Sequence, residues 1–218
     1  MITILYVKLD KLWKDKELEK NLSLLPYVLR QKILLYKDKK EQQLRICGKL
    51  MLLQLLNESD ATKDYGLYNI KYDEYNKPFF NENFNFSIAH SEDYVVCAAS
   101  KHVHVGIDVE KIKPINVQLL KDIFSPEEWL SLDQKKYDLN YFYFLWTRKE
   151  AVLKAIGKGI FEEMWKMDVL KNKILYELKH YTIYDLPIDN GYKIALASKG
   201  KSTFEVKEFV SSTILYMP

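Results

Sequence analysis

Two apolar stretches decide how the chain folds. Residues 94–100 read YVVCAAS and residues 192–198 read YKIALAS. Short runs rich in valine, isoleucine and alanine are typical of buried strands. Each comes late in one half of the chain, after a long helical pattern. A duplicated α+β unit explains both stretches, and the alternative is a coincidence between two buried strands.

The other elements are predicted from periodicity and from cap and turn signals. Ser125-Pro126-Glu127-Glu128 predicts a helix start, because a hydroxyl cap precedes a proline and two acids. Long helical patterns run from residue 27 to about 56 and from Asn140 to Ile156, where Gly157-Lys158-Gly159 ends the second. Further strands are predicted at residues 2–9, 68–72, 84–88, 103–109, 166–170, 174–184 and 204–210.

The composition is that of an ordinary globular protein. Hydrophobic residues make up 48% of the 218, and the formal net charge is only +3. That charge is too small to argue for nucleic acid, but it suits an anionic small ligand or an acidic protein. Without a cleavage signal or a membrane-spanning stretch, we expect a cytoplasmic protein with no membrane partner. Cys47 and Cys97 lie outside any CxxC pair, which argues against zinc.

Two acids share one face of a predicted strand. Residues 105–110 read VGIDVE, so alternation places Asp108 and Glu110 together, with Cα atoms about 6.6–6.8 Å apart. Neighbouring carboxylates favour a proton or cation between them, and Mg²⁺ prefers such oxygen ligands. The alternative is an exposed strand edge with two solvated acids.

A second charged pair lies on the 140–156 helix. Glu150 and Lys154 are one turn apart and share a face. A common surface Glu–Lys pair has the same spacing. The alternative makes Glu150 a third metal ligand or a base, with Lys154 reaching a phosphate oxygen.

Further candidates surround these acids. His90 and Ser91 end an apolar strand, where a histidine either contacts a phosphate or serves as a hydrogen-bonded structural residue. Lys32, Arg45 and Lys77 can supply positive charge, although each alone is typical of a solvated surface. The sequence has no Walker-type loop and no dinucleotide-binding glycine motif, so bound phosphates would be held by side chains and metal.

Taken in order, these motifs resemble those of the 4′-phosphopantetheinyl transferase superfamily, Sfp type. They read NKP at 76–78, FSIAHS at 86–91, GIDVE at 106–110 and WTRKEAVLK at 146–154. The likeness runs from Leu25-Pro26 to the strand at Tyr192. The last two motifs are highly specific as a pair.

The resemblance implies an α+β fold of two similar halves that form a pseudo-dimer, each a small antiparallel sheet packed with a long helix. We expect an N-terminal half, 1–104, and a C-terminal half, 105–218, which carries most of the metal and catalytic residues. The active site would lie in the cleft between them. Long members of this family are monomers, and 218 residues fit that type.

The resemblance also assigns the site. Asp108, Glu110 and Glu150 would hold Mg²⁺ or Mn²⁺, and Asp108, Glu150 and Lys154 would be catalytic. Coenzyme A is the implied substrate, and the residues expected to bind it are Lys32, Arg45, Lys77, His90, Ser91, Lys149 and Lys154. The usual motif has a serine where this chain has Ala89, so one expected phosphate contact is missing, at a cost of about one hydrogen bond.

The implied reaction moves the 4′-phosphopantetheine arm to a serine of an acyl, peptidyl or aryl carrier protein and releases 3′,5′-ADP. Either Glu150, or a metal-bound water that it positions, would take the serine proton, and Lys154 would assist the leaving phosphate; which group is the base stays open. Carrier proteins are small acidic helical bundles. The carrier would dock beside residues 112–124, whose apolar candidates are Ile115, Val117, Leu119, Leu120 and Phe124; the last two are expected in the core.

Other functions share parts of this pattern. A metal-dependent nuclease or phosphatase would use the same three acids, but a nuclease should carry a stronger basic stripe. A non-catalytic module that binds coenzyme A or the carrier would have lost a metal ligand, and none is missing. A glycosidase is excluded, because Asp108 and Glu110 on one strand face cannot flank a sugar ring.

Overall fold

The computed structural model describes residues 1–59, 66–74, 77–80, 84–157 and 164–210. Within these ranges the chain alternates helices and strands, and short 3₁₀ turns occur at Leu67–Asn69, Val117–Ile123 and Met164–Lys166. The helices are α1 (Asp15–Ser23), α2 (Tyr27–Leu34), α3 (Lys39–Glu58), α4 (Pro126–Gln134) and α5 (Leu139–Ile156). The strands are β1 (Ile2–Lys8), β2 (Lys71–Tyr72), β3 (Pro78–Phe79), β4 (Asn85–Ser91), β5 (Tyr94–Ser100), β6 (Val105–Lys111), β7 (Lys173–Tyr176), β8 (Lys179–Asp185), β9 (Tyr192–Lys199) and β10 (Phe204–Glu208).

The same arrangement of three strands occurs twice, as β1-β5-β4 and as β6-β9-β8. One four-stranded sheet has the order β10-β1-β5-β4 and the other β6-β9-β8-β7. In each repeat the first strand, β1 or β6, precedes a long helix, α3 or α5, and the strand that ends the repeat, β5 or β9, pairs antiparallel with that first strand. The α+β fold is therefore as predicted, and the sequence-related strands β5 and β9 occupy equivalent central positions.

The last strand crosses from one half to the other. Strand β10 pairs in parallel with β1, with Ile4 opposite Val206. The segment expected in the C-terminal half thus completes the N-terminal sheet. A boundary at residue 104 therefore does not divide the chain into two segments that each form a complete sheet.

The two sheets pack face to face, with helices on their outer sides. Leu5 and Cys97 point toward α3 in the N-terminal core, whereas Ile4 and Val96 point into an apolar cluster that also contains Ile107 from the second sheet. This difference between neighbours follows from strand alternation. The intervening cluster joins the halves, and α5 covers the outer face of the second sheet.

Several elements differ from the prediction. The helical pattern from residue 27 divides into α2 and α3, because Asp38 accepts a hydrogen bond from the Lys40 N–H and caps a new helix. Helix α1 was not predicted. The strand expected at 166–170 is wrong, the one expected at 68–72 is reduced to β2, and the one expected at 174–184 is the hairpin of β7 and β8. The helix start at Ser125 is confirmed as a capping box with Glu128.

Candidate active site

Strand β6 and helix α5 approach closely because residue 106 is glycine. A Cβ atom there would overlap the carbonyl oxygen of Ala151 and the amide nitrogen of Ala155. Both are backbone atoms that cannot move aside independently of the helix. The glycine thus places the acidic side of β6 against the last turns of α5.

Asp108 and Lys154 form an ion pair between these two elements. Lys154 Nζ lies 2.6 Å from Asp108 Oδ1. Asp108 is only 4% exposed, and its Oδ2 is buried without a hydrogen-bond partner. Burial raises the pKa of Asp108, although Lys154 opposes this shift. The pair leaves one carboxylate oxygen unsatisfied, which is costly unless a further group binds it.

Glu110 and Glu150 extend the negative charge around Asp108. Burial, and next the charge of Asp108, raise the pKa of Glu110. The same two causes, with a smaller contribution from Glu110, raise the pKa of Glu150 to about 7. The three carboxylates thus lie close enough to repel one another. We call Asp108, Glu110, Glu150 and Lys154 the acidic cluster.

The acidic cluster suits a divalent cation. Among the residues that the structure describes, no three His, Cys, Asp or Glu side chains already stand in metal-binding geometry. The unpartnered Asp108 Oδ2, and the mutual repulsion of buried Asp108 and Glu150 with half-buried Glu110, are what a hard cation would relieve. Asp108, Glu110 and Glu150 are therefore the residues that could hold a hard divalent cation.

A basic cleft of about 650 Å³ lies between α2, α3 and β4. Its cationic lining consists of Lys32, Arg45 and Lys49, with His90 from β4. Burial lowers the pKa of Lys49, and the positive charges of Arg45 and Lys32 lower it further. Like charges held together in a partly buried cleft form a site for an anion.

The pKa of His90 is influenced by charges of both the basic cleft and the acidic cluster. Burial lowers the pKa of His90; Glu41, at 3.7 Å from Nε2, raises it, and Arg45 and Lys154 lower it further. His90 therefore feels a charge from each of the two regions. An anion that bridges the cleft and the cluster would pass this side chain.

Aromatic rings hold two of the cations in the cleft. Lys32 Nζ lies 4.1 Å from the ring centre of Tyr72, and the Arg45 guanidinium lies 3.9 Å from that of Tyr36. The sequence prediction missed Lys49. The available signal was its position one helical turn after Arg45 on α3, which places both on one face.

Lys77 and Lys149, predicted to contact coenzyme A, are engaged elsewhere. Lys77 Nζ donates to the Lys154 carbonyl oxygen at 2.6 Å, at the C-terminal end of α5. Lys149 is completely buried, lies 2.7 Å from Glu128 and donates to the Met164 carbonyl oxygen. The structure does not bring the Lys149 ammonium to the cleft, because it points into the C-terminal core.

Two further side chains lie away from their expected surroundings. Ala89 belongs to the apolar cluster between the sheets, whereas its neighbours Ile88 and His90 line the basic cleft. A serine at position 89 would face that cluster, so the alanine does not cost a phosphate contact in the cleft. Ser91 donates to Glu110 Oε2 at 2.8 Å, and its hydroxyl is therefore directed to an acid.

The predicted carrier-docking segment contains both buried and exposed residues. Phe124 is buried as expected, and Leu120 packs against the same core. Val117, a docking candidate, is also buried and belongs to the core. Ile115 and Leu119 are 44% and 80% exposed. In the described ranges, none of the helices combines the length and apolarity needed to cross a membrane.

Comparison with known proteins identifies the family. Residues 12–102 match the model described as "4′-phosphopantetheinyl transferase, N-terminal", and residues 104–197 match that of the 4′-phosphopantetheinyl transferase superfamily. The chain is 32% identical over 183 residues to a 4′-phosphopantetheinyl transferase, gsp, of Aneurinibacillus migulanus, covering 78% of this chain and 74% of that protein. It is 28% identical over 203 residues to 4′-phosphopantetheinyl transferase Sfp of Bacillus subtilis, covering 88% and 90%.

A solved structure, the holo-[acyl-carrier-protein] synthase of Thermotoga maritima, matches 45% of this chain and 64% of its own with 18% identity and a TM-score of 0.38. That structural likeness covers less than half of the chain, whereas the two sequence relatives extend over most of it. By its two family models and these relatives, the chain belongs to the 4′-phosphopantetheinyl transferase superfamily.

Proposed function

We propose that the protein transfers the 4′-phosphopantetheine arm of coenzyme A to a serine of a carrier protein and releases 3′,5′-ADP. The observation that carries this proposal is a basic cleft lined by His90, whose pKa is influenced both by Arg45 of the cleft and by Lys154 of the acidic cluster. A diphosphate nucleotide needs cations for its phosphates and, beside them, groups for the transfer itself. The family supplies the reaction class.

The basic cleft is the proposed site for the nucleotide end of coenzyme A. Lys32, Arg45 and Lys49 would meet phosphate oxygens, and Tyr36 and Tyr72 would flank them. Among the described residues the cleft has no glycine-rich phosphate loop, so side chains provide the charge. His90 would contact a phosphate at the inner end, where a nearby anion favours its protonated form.

Asp108, Glu110 and Glu150 are the residues that would hold Mg²⁺. When bound, the ion would neutralise charge on the diphosphate and orient it for in-line attack. The orphaned Asp108 Oδ2 supports this assignment.

The remaining steps need only protein side chains. The carrier serine oxygen bonds to the phosphorus nearest pantetheine, the bond from that phosphorus to the bridging oxygen breaks, and 3′,5′-ADP keeps the electron pair. Glu150 would take the serine proton directly or through a water. Lys154 carries a positive charge that would stabilise the leaving phosphate.

The carrier would approach over the exposed part of residues 112–124. Ile115 and Leu119 offer apolar contacts, and exposed Lys121 offers a positive charge to an acidic bundle. Because one chain provides both halves of the site, no second copy is required, and we propose a monomer.

Mass spectrometry tests this function. The full chain is incubated with coenzyme A, Mg²⁺ and a panel of unmodified acyl, peptidyl and aryl carriers. A mass gain of one phosphopantetheine on at least one carrier is expected, lost when the carrier serine is replaced by alanine. If no carrier gains mass while a simple phosphodiester is hydrolysed, the protein is a phosphoesterase instead.

A further inference from the structure

The two sheets meet along β4 and β6, which belong to different backbone ladders. Two serines of β4 bridge this junction. Ser87 Oγ accepts from the Ile107 N–H at 3.1 Å, and Ser91 Oγ accepts from the Lys111 N–H at 3.1 Å. The two bridges are four residues apart on each strand. Strand β9 pairs with the other side of β6, so the serines satisfy N–H groups of β6 that face away from β9.

Only one of the two serines has a second task. The residue before Ile107 is Gly106, which has no side chain, whereas the residue before Lys111 is Glu110. Ser91 Oγ donates to Glu110 Oε2 at 2.8 Å, a short and favourable distance for two oxygens. The hydrogen bond that Ser87 accepts thus comes from the backbone of the junction, whereas Ser91 bonds both to that backbone and to the acidic cluster.

The direction of the Ser91 hydroxyl is fixed by these two partners. A hydroxyl has one proton and two lone pairs. Because a lone pair accepts from the Lys111 N–H, the proton is directed to the carboxylate. A glutamate side chain that is free to rotate loses conformational entropy when it binds an ion. A hydrogen bond that already orients the side chain reduces this entropy loss.

We propose that Ser91 is a positioning residue that orients the Glu110 carboxylate for a divalent cation, and this role rests on the proposed function. It replaces the prediction that Ser91 contacts coenzyme A. Partners of metal ligands typically contribute about 10- to 100-fold to metal affinity. Loss of the Ser91 hydroxyl should therefore weaken cation binding by at least about tenfold.

The test measures Mn²⁺ binding to the full chain by electron paramagnetic resonance, without coenzyme A or carrier. We expect Ser91→Ala to raise the Mn²⁺ dissociation constant at least about tenfold and Ser91→Thr, which keeps the hydroxyl, to stay within about threefold of wild type. Ser87→Ala is the matched control, because it removes the same kind of junction bond and should leave Mn²⁺ affinity unchanged. Melting in EDTA should show similar destabilisation for both alanine variants.

Two results would overturn the inference. One is an Mn²⁺ affinity of Ser91→Ala within about twofold of wild type. The other is an equal loss in Ser87→Ala, which would make the junction rather than the hydroxyl responsible. The titration needs no transfer reaction. Absence of carrier modification by a wild type that binds Mn²⁺ would therefore reject the proposed function without touching the role of Ser91.

Discussion

The rings of Tyr94 and Tyr192, which begin the two sequence-related strands, lie against each other with centroids 4.7 Å apart. The two tyrosines therefore occupy equivalent positions in the two repeats and meet where the sheets pack. Lys8 Nζ lies 5.8 Å from both ring centres, and its ammonium also pairs with Asp189. The two strands that resemble each other in sequence therefore contact each other through their first residues, where the two halves meet.

Replacing Tyr192 by alanine should destabilise the whole protein. The side chain is buried in the apolar cluster between the sheets, so the variant should lose about 3–5 kcal/mol of unfolding free energy. Urea denaturation followed by fluorescence and circular dichroism measures this. Because the cluster and the β1–β10 pairing join the halves, both probes should give one transition; two separate transitions in the wild type would contradict that joint stability.

A methyl group at position 106 should disrupt the site. Gly106→Ala drives a Cβ into the backbone of α5, and we expect a loss of about 3 kcal/mol or more, or failure to fold. Gly48→Ala is the comparison. Its Cβ would meet Cγ2 of the Ile88 side chain at 2.8 Å rather than backbone, and alanine gains about 1 kcal/mol of helix propensity, so the loss should be smaller than in Gly106→Ala. Thermal melting of both variants ranks them, and equal effects would refute the backbone explanation.

The buried pair of Lys149 and Glu128 should behave as a structural unit. Lys149→Met leaves the Glu128 carboxylate buried without its cation and should cost about 3–5 kcal/mol. The double variant Lys149→Met, Glu128→Gln removes both charges and should recover much of that loss. A double-mutant cycle by chemical denaturation measures the coupling. Additive effects would show that the two charges do not depend on each other.

Glu150 should make the metal-free protein less stable as the pH rises. Its pKa is raised from 4.5 to about 7, so between these values the folded state holds a proton that the unfolded state has released. The free energy of unfolding should therefore fall through this window by up to about 3 kcal/mol, and Glu150→Gln should lack this loss.

Denaturation in EDTA at pH 5 and pH 8 measures this difference. Glu127→Gln, which changes an exposed acid on α4, is the control and should follow the wild type. A Glu150→Gln variant with the same pH dependence as wild type would mean that Glu150 is not buried beside other negative charges.

Lys49 should bind the nucleotide end of coenzyme A. Lys49→Gln removes one of the clustered charges of the basic cleft and should weaken coenzyme A binding about tenfold, with a smaller dependence on salt. Isothermal titration calorimetry at two salt concentrations measures both. Lys20→Gln changes an exposed lysine on α1 that does not line the cleft and should leave the affinity unchanged. Equal binding by Lys49→Gln and wild type would remove Lys49 from the site.

The sequence alone determined the elements that carry the acidic cluster. Strand alternation placed Asp108 and Glu110 on one face, and helical spacing placed Glu150 and Lys154 on another. Strand alternation and helical spacing depend on only a few neighbouring residues, so the sequence is enough to predict them. The repeat of β5 and β9 was readable for the same reason, since each is a continuous buried strand. The break between α2 and α3 was not, because one capping residue outweighed a continuing helical pattern.

Only the tertiary structure decided which of these side chains face one another. Lys149 and Lys154 lie on the same helix and have the same chemistry, yet one is buried against Glu128 and the other meets Asp108. Ser91 reaches Glu110 only because β4 and β6, an edge strand of each sheet, lie beside each other where the sheets pack. These contacts join segments far apart in the chain, so they depend on how whole sheets pack. Burial and pairing across the fold are set by that packing, and local sequence patterns do not encode it.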